Sequence, residues 1–181
     1  MATAGPNAAS AASGWTNSSN VYVQDSTYAT NSVSAGSNSA TLKAQGFGFV
    51  LATDSTINGF TVIIWKRAAA SLVMKDNSIH LLDSSGVATG NNKASGSYWS
   101  STNTASTYGS SSDVWGTTLT PTDVNSSNFG VQLVAHNDDS SSWTASVDYV
   151  SVTVDYTAAS GQPMQARSRL VPFVNKSRIG W

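Results

Sequence analysis

The sequence contains no cysteine and no glutamate, and only 10% of its residues are charged. Without thiols the chain can form neither a disulfide nor a thiolate metal site. No run of about 18 apolar residues occurs, which excludes a membrane-spanning helix. The first 13 residues lack a basic segment followed by a continuous apolar segment, so we expect no secretory signal. The composition points to no enzyme class.

Serine and threonine are abundant instead. They number 32 and 19, or 51 of the 181 residues, and all ten acidic residues are aspartate. Serine, threonine, aspartate and asparagine compete with the helix backbone for hydrogen bonds, and the common helix formers are scarce. The composition therefore predicts an all-β chain of one domain, with tails at its ends.

Charge is unevenly distributed along the chain. Residues 1–160 contain five lysines and arginines and ten aspartates, a sum of −5, whereas residues 161–181 contain four cations and no acid, a sum of +4. Residues 1–13 are small and polar without periodicity, which is typical of an arm or linker. We therefore predict an N-terminal arm at 1–13, a folded domain at 14–158 and a basic C-terminal arm at 159–181.

Alternation of apolar and polar residues predicts the strands of the domain. In the C-terminal half of residues 57–66, the side chains on both faces of the predicted strand are apolar, which favours a central strand. The strongest alternation follows Tyr149, with a bulge expected near Tyr149 and Val150. Residues 120–125 predict one helical turn capped by Thr120. The further predicted strands are 45–51, a hairpin of 72–75 with 79–82, 97–101 and 129–135.

Seven to nine short strands with one helical turn and no alternation of strands with helices predict an antiparallel β-sandwich, jelly-roll-like in its connections. Together with the tails, the fold class is all-β with extended N- and C-terminal arms. No repeat of the solenoid or propeller type is present.

Several short motifs occur in an order that resembles a known module. They include Gly14-Trp15-Thr16-Asn17, Gly46-Phe47-Gly48-Phe49, Asp113-Val114-Trp115-Gly116 and Val154-Asp155-Tyr156-Thr157. This order resembles a β-sandwich module of tailed-phage virion structural proteins, which also occurs in some bacterial surface or secreted proteins. The resemblance spans residues 14–157 and implies a structural or adhesive role, with no catalytic residues and no cofactor. A Pro-containing turn expected after the Phe-Gly-Phe strand is replaced by Ala52-Thr53-Asp54-Ser55.

The basic tail is the predicted partner-binding site. Prolines oppose a continuous helix there, so we expect an extended arm that places apolar anchors in pockets on a neighbour and arginines on acidic groups. The expected neighbours are a major capsid protein or another virion protein, or a second copy in a homo-oligomer. A decoration or cement protein of the virion, made in the host cytoplasm, is the favoured hypothesis. The predicted partner-binding residues are Arg167, Arg169, Leu170, Phe173, Arg178 and Trp181.

The alternative hypothesis is an adhesive module of a tail or head fibre that binds host glycans through loop aromatics. Its candidate rings can equally cover the open ends of a sandwich, which is the favoured interpretation because each ring buries a large apolar area. Those rings are Tyr98, Trp99, Tyr108, Trp115 and Trp143.

Other chemistry has weaker support. His80 and His136 are expected within strands, without a nucleophile motif beside them. The run Asn137-Asp138-Asp139 lacks the alternate spacing of a calcium loop and predicts a hydrated turn, so no metal is expected. Nucleic acid is not the expected partner because four cations neutralise few phosphates and the acidic body repels the phosphates.

Overall fold

The computed structural model describes residues 1–159, and the chain forms two antiparallel sheets packed face to face. The predicted C-terminal arm lies outside these residues apart from its first residue, Ala159. A 3-10 turn occupies Ser18–Tyr22 and one helical turn, α1, occupies Pro121–Val124. The strands are β1 Ala2–Ala8, β2 Ala11–Ser13, β3 Ala29–Val33, β4 Leu42–Gln45, β5 Thr56–Ala68, β6 Met74–Leu82, β7 Ala88–Thr89, β8 Thr104–Ser110, β9 Gly130–Asn137 and β10 Trp143–Thr157.

The strand order confirms the predicted sandwich. The first sheet runs β1-β10-β5-β8, with β3 also paired to β10, and the second runs β2-β4-β9-β6-β7. The first half of β10 pairs with β3 and its second half pairs with β1, while β5 pairs along the other side. Without β1 and β2, the sheets read β3-β10-β5-β8 and β4-β9-β6-β7, the eight-stranded arrangement of a jelly roll.

The predicted N-terminal arm at 1–13 is wrong, because this segment supplies a strand to each sheet. β1 pairs with β10 from Ala2 opposite Tyr156 to Ala8 opposite Ser151. β2 pairs with β4, starting with Ala11 opposite Gln45. Backbone pairing at a sheet edge needs no apolar side chains, so small polar residues form these strands without the periodicity that sequence patterns detect.

The three longest apolar patterns do form strands. β5 is central in the first sheet, between β10 and β8, as predicted. β9 covers the predicted strand at 129–135, and β10 covers the last alternating run. The register of β10 against β5 shifts between Val147 and Tyr149, so Asp148 is the extra residue of the predicted bulge. The bulge places the Asp148 side chain in a fully buried position.

The predicted strand at 45–51 is wrong beyond Gln45, where β4 ends. Gly46 and Gly48 have φ of 71° and 67°, a left-handed conformation that interrupts strand pairing. The predicted face is nevertheless confirmed, because Phe47, Phe49 and Leu51 are all buried. The segment is a loop that inserts aromatic rings into the core.

Two further strand predictions are wrong. The hairpin expected at 72–75 and 79–82 is one continuous strand, β6, in which the register shift between Asp76 and Ser78 takes up the extra residue. The strand expected at 97–101 is a loop, from which Tyr98 makes a single bridge to Lys75. The neighbouring strand is β8, whose sequence TASTYGS has too few apolar residues to show alternation.

The predicted helical turn is confirmed as α1, and its cap is complete. The Thr120 hydroxyl accepts a hydrogen bond from the Asp123 backbone N–H at 3.3 Å, and the Asp123 carboxylate accepts one from the Thr120 N–H at 2.9 Å. Ser84 Oγ donates to the other Asp123 oxygen at 2.6 Å. These contacts, with Ser84 first, lower the pKa of Asp123 below its ordinary value of 3.8.

A lowered pKa in the folded state makes this cap sensitive to acid. The Asp123 carboxylate contributes stability that is complete above its unfolded pKa and is lost as pH falls through its folded pKa. We expect Asp123→Asn to lower the free energy of unfolding by about 1 kcal/mol at neutral pH. Urea unfolding of both proteins from neutral pH down to about pH 3 checks this, because the difference should shrink in acid. A pH-independent difference would contradict it.

Candidate functional site

A polar cluster joins the two sheets inside the sandwich. Lys66 lies on the inward face of β5 in the first sheet, in phase with the buried Val62 and Ile64. Asp76 faces it from the bulge of β6 in the second sheet. The third and fourth members are Tyr108 on β8 and Trp99 in the loop before it. We call Lys66, Asp76, Trp99 and Tyr108 the inter-sheet cluster.

The Asp76 carboxylate is the centre of the inter-sheet cluster. One oxygen, Oδ1, accepts from the Lys66 Nζ and from the Trp99 indole N–H, the latter at 2.8 Å. The other, Oδ2, accepts from the Tyr108 hydroxyl at 2.9 Å and from the Ser95 backbone N–H at 3.1 Å. The Lys66 Nζ also donates to the Tyr108 oxygen. The phenol therefore contacts both the amine and the carboxylate.

All four side chains of the inter-sheet cluster are buried. The side chains of Lys66 and Asp76 are 4% and 0% exposed. The Lys66 nitrogen lies 4.6 Å from the ring centre of Trp99 and 5.2 Å from that of Tyr108. Burial lowers the pKa of Lys66 although Asp76 opposes the shift, and burial, then Asp76, raises the pKa of Tyr108. A charged pair at this depth costs more solvation than a pair at the surface.

A cavity of about 160 Å³ opens beside the inter-sheet cluster. Six of its nine lining residues carry a hydroxyl group, and one of them is the exposed Tyr98. The volume is enough for several water molecules or part of a small polar ligand. The lining residues, besides Lys66 and Asp76, are Ser95, Ser97, Tyr98, Trp99, Ser100, Thr104 and Ser106.

Three of the five aromatic residues proposed for glycan binding are buried. Trp99, Tyr108 and Trp115 have little or no exposed surface, so their rings cannot stack on a sugar. Trp115 instead donates to the Phe60 carbonyl at 3.0 Å. Tyr98 is 42% exposed, and Trp143 is half-buried. The three buried rings are part of the core, and of these five residues Tyr98 and Trp143 keep the most exposed surface.

The other candidate residues are distributed over separate places. The six predicted partner-binding residues of the tail lie outside the described residues. The His80 ring contacts the Gly90 carbonyl, and the His136 ring contacts the Asn38 side chain at 2.7 Å. Asp138 accepts from Lys75 at 2.9 Å and from Tyr98 at 2.6 Å.

Asn137 is the last residue of β9, and Asp138 and Asp139 lie in the turn that leads to β10. Asn137 Nδ2 donates to three backbone carbonyls, and Asp139 accepts from the Ser141 N–H at 3.0 Å. Among residues 1–159, no group of three or more histidine and aspartate side chains is arranged to hold a metal ion. No helix in the same part of the chain is long and apolar enough to cross a membrane.

Sequence reasoning missed the inter-sheet cluster, although one signal for it was present. Phe60, Val62, Ile64 and Lys66 are alternate residues of one strand, so their side chains lie on the same face. This alternation places a lysine on the inward face of a central strand. A buried lysine needs a buried anionic partner, so this alternation alone predicts an acidic side chain on the facing sheet. Nothing in the sequence identifies Asp76 as that partner, because its position depends on the bulge in β6.

The fold and the inter-sheet cluster define a class: a two-layered antiparallel jelly roll whose sheets are joined by a buried lysine–aspartate pair. Comparison with protein-family models, with curated proteins and with solved structures finds no match.

Proposed function

We propose that the chain is a non-enzymatic structural protein of tailed-phage virions, a capsid decoration or cement protein that binds its neighbours through its basic tail. The observation that carries the proposal is the opposite charge of the body and the tail. Three of the ten aspartates and one of the five cations of residues 1–160 are buried, which leaves seven carboxylates and four cations on the surface of the body. The tail, 161–181, carries four cations and no acid.

The N-terminal segment supports this assignment of roles. Because β1 and β2 are paired within the sandwich, residues 1–13 are not available as a second arm. The role of reaching a neighbour therefore falls to the tail, which follows β10 at the end where Tyr156 pairs with Ala2. The apolar anchors proposed there are Leu170, Phe173 and Trp181.

The mechanism is one of many weak contacts. Arginine side chains form charge-assisted hydrogen bonds with carboxylates on the neighbour, and the apolar anchors fill pockets beside them. The neighbour is a major capsid protein or another virion protein, and the acidic body of a second copy offers the same chemistry to a homo-oligomer. A protein that binds only the assembled shell stabilises the assembly, and repetition over the shell multiplies the effect.

Removal of residues 161–181 tests the proposal. We expect the truncated protein to keep its unfolding transition and to bind assembled shells at least about tenfold more weakly than the full chain, a loss of about 1.4 kcal/mol or more. Cosedimentation with shells of the phage that encodes the chain measures the occupancy.

Two matched variants separate the contributions of charge and of apolar contact. In one, Arg167, Arg169 and Arg178 become glutamine; in the other, Leu170, Phe173 and Trp181 become alanine. We expect salt to weaken the binding of the second variant more than that of the first, because the contacts that remain in the second variant are ionic. Full occupancy by the truncated protein would refute the arm mechanism.

Glycan binding is the second candidate, and the cavity beside Tyr98 is the observation that favours it. The exposed Tyr98 ring can stack on a sugar, and the serine and threonine side chains in the wall of the adjacent cavity of about 160 Å³ can hydrogen-bond to its hydroxyls. Binding of the full chain to a glycan array, lost in Tyr98→Ala and retained after tail removal, would favour this candidate. Trp99→Ala is unsuitable because it also removes a contact of Asp76.

A further inference from the structure

We propose that Lys66 and Asp76 condense to form an amide cross-link between the two sheets, with Tyr108 as the proton carrier. The two side chains are held in contact, and they are only 4% and 0% exposed. Two aromatic rings lie near the amine, and the carboxylate accepts hydrogen bonds from four protein donors. The inference concerns the body of the protein and does not depend on the proposed role of the tail.

The ionic state of the Lys66–Asp76 pair is costly because both groups are buried. An ammonium and a carboxylate that are both buried lose most of their hydration, and their mutual attraction only partly restores it. A proton transferred from the amine to the acid removes both charges. Burial favours this transfer because it lowers the pKa of Lys66. The amide is neutral as well, so condensation removes the charged state permanently.

The Tyr108 hydroxyl contacts both reacting groups. It accepts from the Lys66 nitrogen and donates to Asp76 Oδ2 at 2.9 Å. A proton that leaves the amine can therefore reach the carboxylate oxygen through this single hydroxyl. Tyr108 touches both reacting groups, which makes it the catalytic residue of the step.

The bonds and protons balance without an oxidant or a reductant. The neutral Lys66 nitrogen attacks the Asp76 Cγ, and the nitrogen–carbon bond forms. Negative charge develops on Oδ1, which accepts from the Trp99 indole N–H at 2.8 Å. The bond from Cγ to Oδ2 breaks, and Oδ2 leaves as water with two of the three protons of the original ammonium. One proton remains on the amide nitrogen.

Two features of the site favour the condensation. The reacting groups are in contact, and a cavity beside them can take up the released water. Groups held in reactive contact reach effective molarities of about 10⁵–10⁸ M, so an unactivated acid can acylate an amine that it would not acylate in solution. The cavity of about 160 Å³ beside the pair has room for the released water. The product ties β5 to β6, and therefore one sheet to the other, in a chain without cysteine.

The intact mass of the full, purified chain tests the cross-link directly. We expect a mass lower than that of the sequence by one water, and we expect protease digestion with tandem mass spectrometry to identify a branched peptide that joins Lys66 to Asp76. A folded wild-type chain with the full sequence mass would overturn the inference, and this measurement needs no variant.

Two variants assign the chemistry. Lys66→Arg keeps the positive charge but removes the acylable amine, so we expect the full sequence mass; a loss of water in this variant would show another modification and overturn the assignment. Tyr108→Phe keeps the ring but removes the hydroxyl, and we expect cross-linking about 10²-fold slower, followed as the mass shifts during incubation. Wild-type speed in Tyr108→Phe would overturn the role of Tyr108.

Discussion

Replacement of Phe129 by alanine is expected to lower the free energy of unfolding by about 4 kcal/mol. Phe129 is fully buried where the two sheets meet the loop that follows β4. Its ring centre lies 6.3 Å from that of Phe47, 6.1 Å from that of Phe49 and 5.9 Å from that of Phe60. Alanine would remove these three aromatic contacts and leave a cavity that fixed strands on both sides cannot close.

Urea unfolding monitored by tryptophan fluorescence measures this loss. Val50→Ala is the matched control, because Val50 lies in the same loop and is 92% exposed; we expect a change within about 0.5 kcal/mol. Since Phe47 and Phe49 hold their loop to the core through Phe129, we also expect faster proteolysis within residues 46–51 of Phe129→Ala. A loss below about 1 kcal/mol would show that the ring cluster repacks around the smaller side chain.

The strands that sequence patterns predicted well are those whose burial depends on their own side chains. β5, β9 and β10 carry apolar residues at alternate positions and lie in the middle of the sheets. The helical turn α1 was predictable for another local reason, because Thr120 and Asp123 cap each other within four residues. In both situations the deciding interactions are close in sequence or repeated along it.

The elements that were missed depend on distant partners. β1, β2 and β8 contain mostly small or polar residues, and edge pairing with β10, β4 and β5 makes them strands. Side-chain patterns carry no information on such pairing. The loop after β4 shows the opposite error, because its alternation of Phe47 and Phe49 is genuine while left-handed glycines prevent strand pairing.

The candidate site was predictable only in part. The alternation in β5 indicates an inward Lys66, but its partners come from another sheet, another strand and a loop. Sequence reasoning places the aromatic residues Trp99 and Tyr108 in or beside loops, where they either bind sugars or cover an end of the sandwich. Their contact with Asp76 follows from the folded arrangement of β6 and β8, which is not encoded at any fixed sequence spacing.

Replacement of Asp148, the residue at the bulge in β10, by alanine is expected to lower the free energy of unfolding by about 3 kcal/mol. Asp148 is fully buried and accepts from the backbone N–H groups of Asp25 and Ser26, at 3.2 and 2.8 Å. It also accepts from Asn103 Nδ2 at 2.6 Å. Alanine would leave these donors without their acceptor, and Ser26 is in a left-handed conformation, with φ of 66°, which needs such support.

Asp155→Ala is the matched control for Asp148→Ala, because it removes a buried aspartate from the same strand that accepts one side-chain hydrogen bond, from Thr3 at 2.7 Å. We expect Asp155→Ala to lower the free energy of unfolding by about 1 kcal/mol. Hydrogen exchange at the amides of Asp25 and Ser26 should accelerate in Asp148→Ala and stay unchanged in Asp155→Ala. Equal losses of stability in the two variants would contradict this prediction. The burial of the carboxylate, and not its hydrogen bonds, would then determine the loss.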